Sequence, residues 1–175
     1  MCWTVNVMQR ANRGAATADF EALYRREYPR MVALAASMCG SREVGAELAQ
    51  EAMLRAYRDW SRVAVLDRPG AWVRRATVNL AIDAHRRRSN EQVTLARVAA
   101  EVSSVAGFGV DDRFWVLVRS LPERQRAVIA LRYVDDLSLE EIAQVLEVSV
   151  GTVKSTLFSA RSALAASLGA EEVTE

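Results

Sequence analysis

The sequence has few of the side chains that ligate metals or cross-link a small fold. It holds one histidine, His85, and two cysteines, Cys2 and Cys39. That is too few for a metal-ligand cluster or a disulfide framework. Cys39 ends an apolar helical stripe, which marks it as a packing residue. Lysine is scarce too, with Lys154 the single lysine among 23 basic residues. No apolar run approaches the roughly 18 residues of a membrane helix. The opening MCWTVNVMQR lacks the basic leader and apolar core of a signal peptide. These absences predict a soluble protein of a reducing cytoplasm, with no membrane insertion, metal or cofactor. No segment alternates as a strand would, and there is no internal repeat. A nucleophile–base set and a phosphate loop are also lacking, so an enzyme is not expected.

Half the residues are hydrophobic and a quarter charged, enough for a core in 175 residues. The net charge of +1 hides an uneven distribution. From Phe20 to Arg88 there are 13 Arg against 8 acids, a balance of +5. From Ser89 to Asp112 there is one Arg against four acids. The first half is thus basic, and the segment after it acidic.

Periodicity divides the chain into helices. Residues 1–16 show no useful period and are expected to be a disordered leader. Phe20, Leu23, Tyr24, Met31, Leu34, Ala35 and Met38 form one stripe, interrupted by Pro29, which kinks or divides a helix, and stopped by Gly40. Ser41 caps a second helix reaching about Trp60, with Val44, Leu48, Ala52 and Ala56 inward. Its outer face carries Glu43, Glu47, Gln50, Glu51, Arg55 and Arg58. After a loop from Ser61 to Arg68, Pro69 opens a third helix reaching Arg88. Trp72, Ala76, Asn79 and Asp83 share one of its sides. Its terminal Arg86-Arg87-Arg88 either complements the helix dipole or binds phosphate. Residues 89–111 read as a linker, with a short helix around Glu91 to Glu101. A second domain spans 112–169, and an acidic tail follows at 170–175.

The most informative stretch is Ser138 to Leu164. Ser138 and Glu141 form a capping box for a helix starting at Leu139, with Ile142, Ala143 and Leu146 at helical spacing. Val148 and Ser149 break the pattern, and Ser149 caps a second helix. That helix turns Val153, Leu157, Ala160 and Leu164 inward and Thr152, Lys154, Ser155, Ser159 and Arg161 outward. An apolar back behind small polar and cationic side chains suits the DNA major groove.

Taken together, the chain resembles the extracytoplasmic-function (ECF) sigma factors of bacterial RNA polymerase. In the second half the likeness rests on LPERQRAVIALRYVDDLSLEEIAQVLEVSVGTVKSTL, which is similar to sigma region 4. In the first half it rests on AELAQEAMLRAY and PGAWVRRATVNLAIDAHRRR, similar to regions 2.2 and 2.3 to 2.4. The resemblance covers Phe20 to Leu168. It implies two small helical domains, a region 2 bundle of three to four helices over 17–88 and a region 4 helix-turn-helix domain, joined by a flexible linker.

The resemblance also implies partners: core polymerase, through its β′ clamp and β flap, promoter DNA and an anti-sigma factor, with the free chain a monomer. The polymerase-docking residues by position are Glu47, Gln50, Glu51, Arg55 and Tyr57. Those for reading and opening the −10 element are Arg62, Trp72, Arg74, Arg75, Asn79, Asp83, Arg86, Arg87 and Arg88, with the loop Ser61 to Arg68 as a base pocket. Trp72 at that spacing fits a core position better than a base stack, and Asn79 and Asp83 also fit a role as internal partners, Asp83 orienting an Arg. Those for the −35 element are Ser149, Val150, Thr152, Lys154, Ser155, Thr156, Ser159 and Arg161.

The family pattern is not followed throughout. Glu47 stands where Asp is usual, and Glu147 where glycine usually makes the turn between the last two helices. Either Glu147 is left-handed, with roughly 1–2 kcal/mol of strain, or the turn differs. Thr156 and Ser159 stand where arginines are common, which predicts a weak −35 grip with a flat salt dependence. The residues alone also fit an autonomous helix-turn-helix regulator, or a decoy that holds polymerase without initiating.

Overall fold

A computed structural model describes the backbone of residues 3–94 and 112–172, and the side chains of 19–88 and 114–168. The described residues form eight helices: α1 (Trp3–Cys39), α2 (Arg42–Arg58), α3 (Trp60–Val63), α4 (Pro69–Thr94), α5 (Asp112–Ser120), α6 (Glu123–Tyr133), α7 (Leu139–Leu146) and α8 (Val150–Glu172). No strand occurs among the described residues.

The helix starts follow from local chemistry. Ser41 Oγ accepts the Val44 N–H at 3.3 Å, and Ser149 Oγ accepts that of Thr152 at 3.0 Å. At α7 both arms of the capping box form: Ser138 Oγ accepts from Glu141 N at 3.2 Å, and Ser138 N donates to Glu141 Oε2 at 3.0 Å. Gly40, at φ +80, closes α1 as expected.

Several boundaries differ from the sequence reading. The first helix begins at Trp3, so residues 3–16 are helical rather than a disordered leader. Nothing N-terminal to Pro29 forbids the helix, and propagation adds a bond for every residue fixed. Pro29 does not divide α1. The second helix ends at Arg58, with Asp59 closing it, and the one-turn α3 takes up the start of the predicted loop. The fourth helix runs on to Thr94, into the predicted linker; residues 95–111 lie outside the described ones, as do 173–175 of the tail.

The first domain is α1, α2 and α4 packed together, with Met31, Leu34, Met38, Met53, Val73 and Val78 fully buried. Close packing of α1 on α2 depends on Gly45, where a Cβ would lie 2.7 Å from the Ala36 backbone nitrogen. The real inward row of α2 is Gly45, Ala49, Ala52, Met53 and Ala56; Val44 and Leu48 are half-buried. In the second domain Val118, Ile129, Leu131, Ile142 and Val153 are fully buried. The two cores join into one apolar cluster. Arg126, 3% exposed, stitches the seam by donating to the carbonyls of Met38 at 3.2 Å and Leu121 at 3.0 Å, with His85 Nε2 2.9 Å away. Desolvation by burial, aided by the Arg126 charge, holds the His85 pKa below its ordinary value.

Candidate nucleic-acid interface

The outer face of α2 collects Glu47, Gln50, Glu51 and Arg55, as helical spacing requires. Glu51 accepts from Arg55 Nε at 2.8 Å. Tyr57 lies at the edge of this face, half exposed, with its ring 5.0 Å from Phe20. Leu54, 40% exposed, sits among these polar residues and was missed by the sequence reading, which treated the face as purely polar. Phe20, Tyr24, Gln50, Met53, Leu54 and Tyr57 line a groove of about 340 Å³.

On α4 the predicted DNA residues separate into two groups. Arg75, Asn79, Asp83 and Arg86 fall on one stripe and line one wall of a cleft. Trp72, half-buried, begins that stripe and packs against the apolar cluster. Arg74 points elsewhere. Its side chain is 12% exposed and lies between Glu27, at 3.0 Å, and Asp135. Burial pushes the Asp135 carboxyl up, against the opposing pull of Arg74. Gly70 lets α4 cross over Glu27, since a Cβ there would meet Glu27 Oε1 at 2.8 Å. Arg88 donates to the Cys39 carbonyl at 3.3 Å, and Arg87 to the Asp83 carbonyl at 3.4 Å. That bond runs to the Asp83 backbone, and the Asp83 charge acts on Arg86. Arg62 is exposed on α3, beside Val65 and Leu66, which are also exposed.

The turn from α7 into α8 is made by Glu147 at φ 52, ψ 47, the left-handed conformation expected of a glycine. Its carboxylate pairs with Arg75. On α8, Ser149, Thr152, Lys154, Ser155 and Ser159 are exposed, while Val150 and Thr156 are half-buried. Arg161 is held at its base: Nε and Nη2 donate to Tyr133 Oη at 2.9 and 2.6 Å, and its guanidinium lies 5.7 Å from that ring's centre. Phe158, 74% exposed, stands beside Lys154 and Ser155. The sequence reading omitted it, listing Val150 as the single apolar residue among the −35 candidates; its place one turn after Lys154 was the available signal.

A capped helical hairpin with an exposed second helix, beside a bundle carrying an arginine stripe, defines a two-domain DNA-binding protein. No group of three or more potential metal ligands occurs among the described residues, and none of the helices there is long and apolar enough to cross a membrane.

Comparison with known proteins gives the family. Residues 23–91 match the model for sigma-70 region 2, and residues 111–164 that for sigma-70 region 4. The ECF RNA polymerase sigma factor SigW of Bacillus subtilis (strain 168) is 31% identical over 165 residues, covering 85% of this chain and 87% of SigW. The ECF sigma factor SigE of Mycolicibacterium smegmatis is 30% identical over 162 residues, covering 86% of this chain and 62% of SigE. Among solved structures, the sigma factor RpoE in complex with the anti-sigma factor NepR, from Bartonella quintana, superposes with a TM-score of 0.67 at 23% identity, over 83% of this chain and 94% of RpoE. CnrH in complex with the cytosolic domain of CnrY gives 0.64 at 24% identity, over 86% and 88%. At these identities the two structures speak to the fold alone. The chain belongs to the ECF sigma factors of RNA polymerase.

Proposed function

We propose that this sigma factor binds core RNA polymerase and directs initiation at promoters by reading a −35 element with α8 and reading and opening a −10 element with α4 and the 61–68 loop. The observation that carries the reading is the pairing of two faces on separate domains: the stripe Arg75, Asn79, Asp83, Arg86 along a cleft and the exposed front Ser149, Thr152, Lys154, Ser155, Ser159. On the second, hydroxyls and Lys154 suit base edges and phosphates, and the Phe158 ring suits a thymine methyl. On the first, arginines grip a strand backbone and offset the few kcal/mol that extruding a base costs. Polymerase docks on the α2 face, where Leu54 and Tyr57 give apolar contact and Glu47, Glu51 and Arg55 set orientation. Because solved relatives are complexes with anti-sigma factors, a regulator of that kind is proposed here too.

The test is transcription with purified core polymerase on a promoter library. Start sites that arise only with this protein are expected. Duplex binding by the protein alone without initiation would identify a separate regulator, and polymerase binding without initiation a decoy. Glu51→Ala should weaken polymerase binding about fivefold with an unchanged helical spectrum. Unchanged affinity would remove the α2 face from the docking site.

A further inference from the structure

Arg55, Arg74, Arg75 and Arg86 are each held by a carboxylate, which orients a guanidinium and cancels its charge. Arg161 is held by a neutral group. Its Nε and Nη2 both donate to Tyr133 Oη, at 2.9 and 2.6 Å. No carboxylate among the described residues pairs with it. A hydroxyl therefore fixes the plane of the fork and leaves the positive charge whole. The second hydrogen on Nη2 and both on Nη1 are not taken up by these bonds. Neither is the hydrogen of the phenol, which accepts in both. The pair presents a set of donors around one uncompensated charge, which is the chemistry of a phosphate site.

The surroundings favour an anion as well. From Val150 to Ala170, α8 carries no Asp or Glu. Both partners are open to solvent, Tyr133 at 50% exposure. A contact so exposed buries little apolar surface and contributes little to the core.

Placement supplies the ligand. Lys154, Phe158 and Arg161, spaced four and three, lie along one edge of α8. Arg161 is about 10.5 Å beyond Lys154 along the axis, at roughly 1.5 Å per residue, so the two cations reach different phosphates. The first residues of a recognition helix meet base edges. Arg161, about three turns further on, falls where such a helix passes the strand backbone. Tyr133, at the end of α6, joins that edge from a separate element.

We infer that Tyr133 is a DNA-binding residue, which with Arg161 clamps one phosphate of the strand flanking the bases that α8 reads. Tyr133 sets the guanidinium and gives its own hydroxyl hydrogen to the same phosphate. Because the arginine is ordered beforehand, less side-chain freedom is lost on contact. One oriented arginine offsets the scarcity of cations on the rest of the front, where Lys154 stands among hydroxyls. The clamp rests on the proposed reading of α8 as a DNA helix.

The experiment titrates the full-length chain and its variants into a fluorescein-labelled pool of random duplexes, of about 20 base pairs, at salt from about 50 to 200 mM. Fluorescence anisotropy reads binding, and a random pool reports the phosphate contacts, which are independent of sequence. Arg161→Gln should bind about tenfold more weakly, with a salt slope lower by about 0.9. Tyr133→Phe keeps the ring beside the guanidinium and removes the hydroxyl. It should bind about threefold more weakly with the slope unchanged. Tyr133→Glu holds the fork but cancels its charge, and should lose slope as Arg161→Gln does. Tyr133→Phe/Arg161→Gln should lose less than the product of the two single losses, the mark of a shared phosphate. Thermal unfolding, unchanged across the set because both side chains are exposed, separates loss of contact from loss of fold. Lys154→Gln tests α8 itself. If it weakens binding while Tyr133→Phe binds like the unsubstituted chain, or while the two single losses multiply, α8 stays on DNA and the clamp is overturned. Unchanged binding in Lys154→Gln and Arg161→Gln alike would overturn the reading of α8, and the clamp with it.

Discussion

At the scale of single residues, Arg74 and Arg75 are neighbours with different surroundings. Arg74 is enclosed with Glu27 and Asp135, while Arg75 and Glu147 are both substantially exposed. Removing one member of a buried charged group leaves the others uncompensated, whereas an exposed pair is screened by solvent. Arg74→Ala should therefore lower the urea unfolding free energy by about 3 kcal/mol, and Arg75→Ala by under about 1 kcal/mol. His85 yields a second expectation. Its folded pKa lies below the unfolded value, so the unfolded chain takes up the proton first. Its contribution is present above about pH 6.5 and is lost as pH falls from there through the lower folded pKa. Arg126 and Arg88 oppose protonation and Glu123 favours it. The melting temperature should fall between pH 7.5 and 5.5, and His85→Gln should flatten that change. An equal fall in the variant would assign the effect to other groups.

At the scale of elements, the α1–α2 contact and the α7–α8 hairpin are built by different means. The hairpin is specified locally, by a capping box at Ser138, the turn at Glu147 and the Ser149 cap. The α1–α2 contact instead depends on the absence of a side chain at Gly45. Gly45→Val would drive a branched side chain into the Ala36 backbone and should destabilise the chain by about 2–3 kcal/mol, measured by thermal unfolding. Ser138→Ala should cost about 1 kcal/mol by loss of the cap. Equal effects from the two substitutions would mean that α1 and α2 are held apart more loosely than the structure has them.

At the scale of the whole molecule, one apolar cluster and a set of interdomain ion pairs couple the halves. Trp60 and Trp72 report on the first domain and Trp115 on the second. Unfolding followed in Trp115→Phe, and separately in the variant retaining Trp115 alone, should coincide at 50 mM salt. The two transitions should separate at 0.5 M salt, where exposed pairs are screened. Coincidence at both salts would mean that the apolar seam, with Arg126 at its centre, suffices.

The sequence by itself determined what depends on near neighbours. The helical periods, the capping box, the Ser149 cap and the stop at Gly40 follow from residues within a turn or two of each other. So does the sharing of one side by Asn79 and Asp83. The extent of α1 and α4 was less legible, because helix propagation carries no strong sequence mark. What only the tertiary structure decided is which arginines remain available to a ligand. Arg74 and Arg75 are adjacent in the chain, yet the acid that encloses Arg74 is 61 residues away and the one on Arg75 is 72 residues away. Periodicity assigns a side chain to a face, but the charge opposite that face is supplied by another domain.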